Sequence, residues 1–377
     1  MNTKKMNQVR DKVFNMAKRY GTLDIVSKLI GGLLLLLMIV FWVGKTKNKL
    51  LKKNIDKLET TYSDFPLIKS INISNKLYGH KLRDYYVKTA YNCCATGSFK
   101  HDWVAPEALK TCIRQGVRCL DFQIFSLDNL PVIAVSADTD YSVKGSYNSI
   151  PFSQAMSTIA AYAFSGSTCP CPGDPLILHF RIMTNNMPIL DKMAQDLKTT
   201  LSRRLLGRSF SYENNGENIG SVPLKDLKGK VIIVVDKSKA NPSETDLDEY
   251  VNLTSNSIFM RTLRYQDVKF TPDMQELVEY NKKNMTMCIP DLGQHPTNPS
   301  SLLAMNYGCQ FVAMSFQKVD ANMEYYNKFF NEQGSAFALK PESLRYIPVV
   351  IEVPKPPPKE YSYKQREIKS DFYSFKM

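Results

Sequence analysis

Between Leu29 and Gly44 the chain carries no charge, and at the heart of that stretch lies Leu33-Leu34-Leu35-Leu36-Leu37-Met38-Ile39-Val40-Phe41-Trp42. Counted from Ile25, with Lys28 snorkelling toward the polar side, it is about 20 residues long, which as a helix matches the thickness of a hydrocarbon core. A buried core helix would not be flanked by so many lysines. A secretory signal would end in small residues ahead of a cleavage site, whereas this run ends Phe41-Trp42-Val43-Gly44-Lys45 behind a long amino-terminal region. The expectation is an uncleaved single-pass anchor over residues 25–44, and hence a single-pass membrane protein. Seven basic residues precede the run and Lys45, Lys47, Lys49, Lys52, Lys53 and Lys57 follow it, so flanking charge does not orient the span.

The basicity of the chain, +13 overall, is concentrated around this segment. Residues 1–60 hold 13 Lys+Arg against 4 Asp+Glu, residues 342–377 hold 7 against 5, and the 281 residues between carry the remaining +2. A nearly neutral domain is a poor ligand for a polyanion, so nucleic acid is not expected as a partner. Residues 1–24 place Val9, Val13 and Met16 at helical spacing, which fits a short amphipathic helix on a membrane surface or a disordered tail. Residues 45–60 resemble a basic helical stalk.

From about Thr61 the pattern changes. Strand-like runs at 85–88, 117–125, 131–135, 176–180, 230–235, 257–261 and 311–315 are interleaved with amphipathic helical patterns at 106–115, 152–163, 187–206 and 272–283. Alternation of this kind in some 280 residues predicts an α/β fold, a (β/α)8 TIM-type barrel over residues 61–341. The run Arg118-Cys-Leu-Asp-Phe-Gln-Ile-Phe125 is the most informative strand. Leu120, Phe122 and Ile124 share one face, and Cys119, Asp121 and Gln123 the other, which suits a strand packed on helices outside and offering polar groups inside. Beyond Pro341 the rhythm stops; Pro354-Lys-Pro-Pro-Pro-Lys359 is expected to form a polyproline II spacer, followed by a Tyr/Lys-rich peripheral or disordered tail.

None of the eight cysteines forms a paired C-x-x-C set, so no structural zinc site is expected. Cys119 and Cys309 lie in apolar runs and are expected to be buried thiols, while Cys169-Pro-Cys171-Pro is expected in a loop open to oxidation. Asn72, Asn252 and Asn284 each head an Asn-x-Ser/Thr triplet and are glycosylation acceptors if the domain is lumenal.

Several stretches go further. Tyr85-Tyr-Val-Lys-Thr-Ala-Tyr-Asn92 provides a strand and loop, residues 108–125 a helix and second strand, and Leu224-Lys-Asp-Leu-Lys-Gly-Lys-Val-Ile-Ile-Val234 a later strand. Glu279-Tyr-Asn-Lys-Lys-Asn-Met-Thr-Met-Cys-Ile-Pro290 is similar to "RYNKRQLTRVYP", Asn306-Tyr-Gly-Cys-Gln-Phe-Val-Ala-Met-Ser-Phe-Gln317 to "NAGCQMVALNFQ", and residues 334–341 to "GGCGYVLKP". In this order they resemble the phosphoinositide-specific phospholipase C catalytic barrel, with an X-like half at about 80–240 and a Y-like half at about 250–341.

The resemblance implies a phosphodiester-cleaving site with two histidines and a calcium ion, and this chain departs from it at each part. Tyr91 stands where the first family histidine would be, and the second falls near Val135 or Ala137, in a run without histidine. Of the implied calcium ligands Asn92 persists, the family's Glu-x-Asp pair becomes Asp121 and Gln123, and Arg181 aligns with a glutamate. The family set carries three negative charges and this one sums to zero, so the calcium site is expected to be lost and no metal or cofactor is expected. Arg181 is expected to take the metal's place and pair with Asp121. Lys237 and Lys239 are partial substitutes for family phosphate-binding lysines, and Asp291-Leu-Gly-Gln294 lies where the family has an arginine.

The leading expectation is therefore a membrane-anchored phospholipase C-like pseudoenzyme, a binding or structural module with the bilayer as partner through residues 25–44. An anionic or inositol lipid headgroup, or a protein, is the second partner considered. The alternative is an active phosphoric diester hydrolase with a rearranged, calcium-independent site in which His179, which shares the face of Arg181, is the rescue residue.

Overall fold

The protein is described by a computed structural model in which residues 3–137, 143–239, 241–348, 355 and 364–377 are placed. Its amino-terminal part is one helix, α1 (Thr3–Thr61). The compositional breaks near residues 24 and 44 do not interrupt it. No proline occurs before Pro66, and isolated glycines such as Gly31, Gly32 and Gly44 each weaken a helix by only about 1 kcal/mol. Every side chain from Leu33 to Trp42 is at least half exposed, and α1 is long and apolar enough to cross a membrane.

The next unit is built on eight parallel strands in the order β7-β6-β5-β2-β1-β10-β9-β8. They are β1 (Tyr85–Ala90), β2 (Cys119–Leu127), β5 (Leu176–Ile182), β6 (Val231–Asp236), β7 (Leu253–Ser255), β8 (Met260–Arg264), β9 (Met285–Ile289) and β10 (Phe311–Met314). Seven parallel ladders join them, and only β7 and β8 meet without one, so the barrel is closed but for a single seam. β3 (Leu130–Ala134) and β4 (Ile150–Pro151) extend β2 as antiparallel strands, and β11 (Phe337–Leu339) pairs antiparallel with β1. Helices α2 (Pro106–Arg114), α3 (Phe152–Tyr162), α4 (Pro188–Leu201), α5 (Ser211–Asn215), α6 (Tyr265–Lys269), α7 (Met274–Lys283), α8 (Ser301–Asn306) and α9 (Ala321–Gln333) occupy the connections.

Local chemistry explains these elements. α2 starts on proline, where a missing N–H costs nothing, and carries Glu107 in its first turn and Arg114 in its last, as the helix dipole favours. Its buried residues Ala108, Leu109, Cys112 and Ile113 form one stripe against the barrel. On β2 and β5, Phe122 and Phe180 face outward, where Phe152 of α3 meets Phe180 edge-on at 5.3 Å. The inward face of these two strands carries Asp121, His179 and Arg181 toward its carboxyl end, and they form the site described below.

The sequence pattern differs from this structure in several places. The run at 131–135 belongs to a hairpin folded back on β2 rather than to the parallel barrel, because Asp128 and Asn129 take positive φ and allow a two-residue reversal. β7, β9 and β11 are strands that the pattern did not mark, and all but one of their residues are buried. Strands buried on both faces show no alternation to read. Cys169 and Cys171 do lie in a loop, between α3 and β5, and are buried free thiols like the other six. Arg118, itself fully buried, holds them: its guanidinium donates to Cys171 Sγ at 3.1 Å, to Cys169 Sγ at 2.6 Å and to the Ala163 carbonyl at 3.1 Å.

Residues 346–377 form a separate small unit. The tail expected to lack structure contains an antiparallel pair, β12 (Glu367–Lys369) and β13 (Ser374–Lys376). The expected polyproline stretch 354–359 lies outside the described residues except for Lys355.

Candidate functional site

The parallel ladder of β2 and β5 sets Asp121 opposite His179 and Gln123 opposite Arg181. Asp121, His179 and Arg181 therefore meet inside the barrel from adjacent strands. Arg181 reaches down to the carboxylate one step below: Nε donates to Asp121 Oδ1 at 2.9 Å and Nη2 to Asp121 Oδ2 at 2.7 Å. His179 Nδ1 lies 2.8 Å from Oδ1, and the Asn92 backbone N–H donates to Oδ2 at 3.1 Å. Each carboxylate oxygen thus holds two partners, which fills the lone-pair positions of the group.

Asn92 makes its contribution through an unusual backbone. Its φ is 44°, in the left-handed region that asparagine tolerates better than other residues with a side chain. The bend aims its N–H at Asp121 while Asn92 Oδ1 accepts from Arg181 Nη2 at 2.8 Å. Tyr91 covers the guanidinium, with the ring centroid 4.6 Å from the central carbon and the hydroxyl 3.4 Å from Nη1. Asp121 and His179 are fully buried and Arg181 is 5% exposed.

These contacts fix the charge states. Burial by itself would raise the Asp121 pKa, but the Arg181 cation and the donors around it hold this carboxyl far below the ordinary range. Burial likewise disfavours the Arg181 cation, and Asp121 more than reverses that, so the guanidinium binds its proton more tightly than usual. An ionised carboxylate is acceptor-only, which assigns the proton between Asp121 and His179 to Nδ1. His179 Nε2 is engaged in turn by the Ser255 hydroxyl at 2.9 Å.

Two of the residues singled out by sequence lie elsewhere. Gln123 turns to the β3 end, where its Oε1 accepts from the Ser136 N–H at 2.8 Å. Val135 is buried at that same end, where its carbonyl accepts from Gly145 and Ser146. Lys237 is paired with Glu213, whereas Lys239 lines the mouth of the barrel.

Above Arg181 opens a pocket of about 230 Å³, bounded by Asp236, Lys239, Asn256, Thr262 and Arg264. Sequence reasoning missed Arg264, which donates to the Pro290 carbonyl at 2.7 Å and approaches the Tyr91 hydroxyl at 3.4 Å. The strand-like run in the sequence covers 257–261, whereas β8 runs Met260–Arg264 and carries Arg264 at its carboxyl end. Ser255 and Asn256 were missed because β7 was. Asn256 bends the chain at the seam with φ 56° and its amide donates to both Asp236 oxygens at 3.1 Å.

Family comparison decides the descent of this barrel. The phosphatidylinositol-specific phospholipase C X domain matches residues 78–237, and the Y domain of the same family matches residues 234–343. The chain belongs to the phosphatidylinositol-specific phospholipase C family. The junction of the two phospholipase C domains falls on β6, just before the open seam of the barrel. Among solved structures, PLC21 from L. pealei is similar with a TM-score of 0.60 at 20% identity, over 74% of this chain and 39% of that one. PLC21 from S. officinalis gives 0.58 at 21% identity, with the same 74% and 39% coverage. The likeness is one of fold, and the chain spans about two-fifths of the length of those proteins.

Proposed function

We propose that this protein is a membrane-anchored phospholipase C-like pseudoenzyme, a binding or structural module held at a bilayer by α1. The observation that carries the reading is the two-pronged Arg181–Asp121 pair. A calcium ion needs several free oxygen donors and net negative charge. Here both Asp121 oxygens are saturated, Asn92 Oδ1 is taken by Arg181, Gln123 points to Ser136, and a guanidinium fills the space between. Among the described residues no cluster of three or more His, Cys, Asp or Glu is placed to hold a metal. This donor set does not fit calcium.

Proton transfer lacks a carrier as well. A positioned general acid or base is worth about 10²- to 10⁴-fold, and the family histidine positions hold Tyr91 and Val135. His179 is fully buried beside Arg181 and Asp121 with both nitrogens engaged. That arrangement favours a supporting role over the rescue role of the active-hydrolase reading. The pocket itself supports ligand binding: Lys239 and Arg264 line it together with Asp236 and Asp267, a mixed lining suited to a polar, phosphate-bearing headgroup.

The test is release of water-soluble inositol phosphate from radiolabelled phosphatidylinositol by the full-length protein in vesicles, with and without calcium. Release at the level of protein-free vesicles in both conditions is expected. Turnover that His179→Ala abolishes would overturn the pseudoenzyme reading.

A further inference from the structure

At the amino-terminal end of β2, away from the Arg181 pocket, one guanidinium gathers two thiols. Arg118 is the residue before β2 and is fully buried. Its Nε donates to Cys171 Sγ at 3.1 Å and its Nη2 to Cys169 Sγ at 2.6 Å, while the Ala163 and Cys171 carbonyls take its remaining bonds. Nε and Nη2 form one rigid edge of the group, so the two sulfurs are held side by side. They meet each other as well, with Cys171 donating a hydrogen bond to Cys169. Two residues apart in the chain, their Cα atoms are separated by no more than about 7 Å, close to the usual disulfide span of about 4.4–6.8 Å.

A buried cation is costly unless an opposite charge meets it. None of the described hydrogen-bond partners of Arg118 is a carboxylate. Asp174 is near enough for the guanidinium to feel it but makes no hydrogen bond to it. Its Oδ1 accepts from the Ile71 N–H at 2.7 Å, and burial pushes its carboxyl up to about 8. The thiols are therefore the groups placed to supply a countercharge. The hydrogen bond from Cys171 outweighs burial, and with the Arg118 cation it brings the Cys169 thiol down to about 7. Burial pushes Cys112, Cys119, Cys288 and Cys309 the other way.

The pair lies just beneath the surface. Ser167 and Thr168, next in the chain, line an open cavity of about 560 Å³ with Tyr162, Lys110 and Arg114. Pro170 and Pro172, on either side of Cys171, are partly exposed. A peroxide is little larger than water and reaches the sulfurs through a local opening of this loop.

We propose that Cys169 and Cys171 are a peroxide-oxidised dithiol, a reversible disulfide site separate from the barrel mouth. The Cys169 thiolate attacks one peroxide oxygen; an S–O bond forms, the O–O bond breaks, and the departing hydroxide takes the Cys171 proton to become water. The Cys171 sulfur then attacks the sulfenic sulfur. The S–S bond forms, the S–O bond breaks, and the second hydroxide becomes water with the proton that Cys169 had released. Two electrons pass from the sulfurs to the peroxide, and an external thiol reverses the bond.

The test is peptide mapping of the full-length protein after brief exposure to hydrogen peroxide at neutral pH, with alkylation in denaturant. Trypsin releases residues 145–181 as one peptide that carries Cys169 and Cys171 and no other cysteine. This peptide is expected to lose both alkylation sites and two hydrogens, roughly ten-fold faster than any other cysteine reacts, as its larger thiolate fraction dictates. Dithiothreitol should restore it. Cys171→Ser should stop the reaction at a sulfenic acid on residue 169, trapped by dimedone. Loss of alkylation no faster than at the other six cysteines, or oxidation to sulfinic acid without the disulfide, overturns the proposal. If Cys171→Ser fails to fold, the wild-type peptide map alone decides.

Discussion

Two buried cations in this barrel sit in opposite circumstances. Arg181, at the mouth, meets Asp121, Asn92 and Tyr91. Lys88, on β1 in the wall behind α2, is fully buried, and its Nζ has no hydrogen-bond partner among the described residues; the Phe316 ring centre is 6.0 Å away. The mouth keeps its charge because the Arg181 guanidinium meets both Asp121 oxygens and Asn92 Oδ1. The wall holds its charge only weakly, since burial pushes the Lys88 amine down to about 7. A buried charge is thus stable only where partners replace its hydration, and where they are missing the group gives up the charge.

Removing one member of the mouth pair should show the largest effect. Arg181→Ala leaves a buried carboxylate with His179 and one backbone N–H, and a loss of about 3–5 kcal/mol is expected from the denaturant midpoint of the solubilised protein. An unchanged midpoint would mean that the pair contributes no stability. The wall should respond with the opposite sign. Lys88→Met removes a poorly solvated amine at similar volume and should raise stability by about 1–4 kcal/mol; a destabilised Lys88→Met would show that the amine has a partner in solution.

The same contrast governs pH. A lysine with a folded pKa of about 7 and an unfolded value of about 10.4 takes up a proton on unfolding anywhere between those limits, so stability rises with pH across that window. Lys340, also pushed down to about 7 by burial, adds to the rise. Asp174, raised to about 8 by burial, opposes it at lower pH because it holds a proton only in the folded chain. Buried thiols pushed up by burial, Cys112 and Cys309 among them, oppose the rise above about pH 8.5. The lysine contribution is therefore read as a difference: the stability gap between Lys88→Met and the wild type should narrow as pH rises from about 7 to 10. Asp121, held far below the ordinary range, should contribute no slope anywhere near neutrality. The smallest effect is expected for Tyr91→Phe, which loses two 3.4 Å contacts but keeps the ring over the guanidinium. A loss of about 0.5 kcal/mol is expected, because contacts as long as 3.4 Å are at the weak end of hydrogen bonding.

Much of this was legible in the chain. The strands around Asp121 and Arg181 were readable because apolar residues alternate with polar ones that enter the barrel. The inward face of Asp121 and Arg181 followed from period two alone. β9, Met285-Thr-Met-Cys-Ile289, was not readable because all five of its residues are buried and no alternation remains. α9 carries a usable signal, Asp320 as its cap and Met323, Tyr326 and Phe330 on one stripe. The reversal at Asp128-Asn129 made 131–135 look like a barrel strand, since pattern does not distinguish a parallel neighbour from a hairpin arm.

By itself the sequence determined an apolar helix of membrane-spanning length, an alternating α/β domain of phospholipase C descent, and an arginine aligned with a family glutamate. These follow from local period, composition and motif order, which a linear chain carries in full. Which oxygens Arg181 occupies, that Gln123 turns away, and that His179 lies sealed between Asp121 and Ser255 were decided by tertiary structure. Those outcomes depend on strand register and on contacts between residues far apart in sequence, and neither is fixed until the barrel closes.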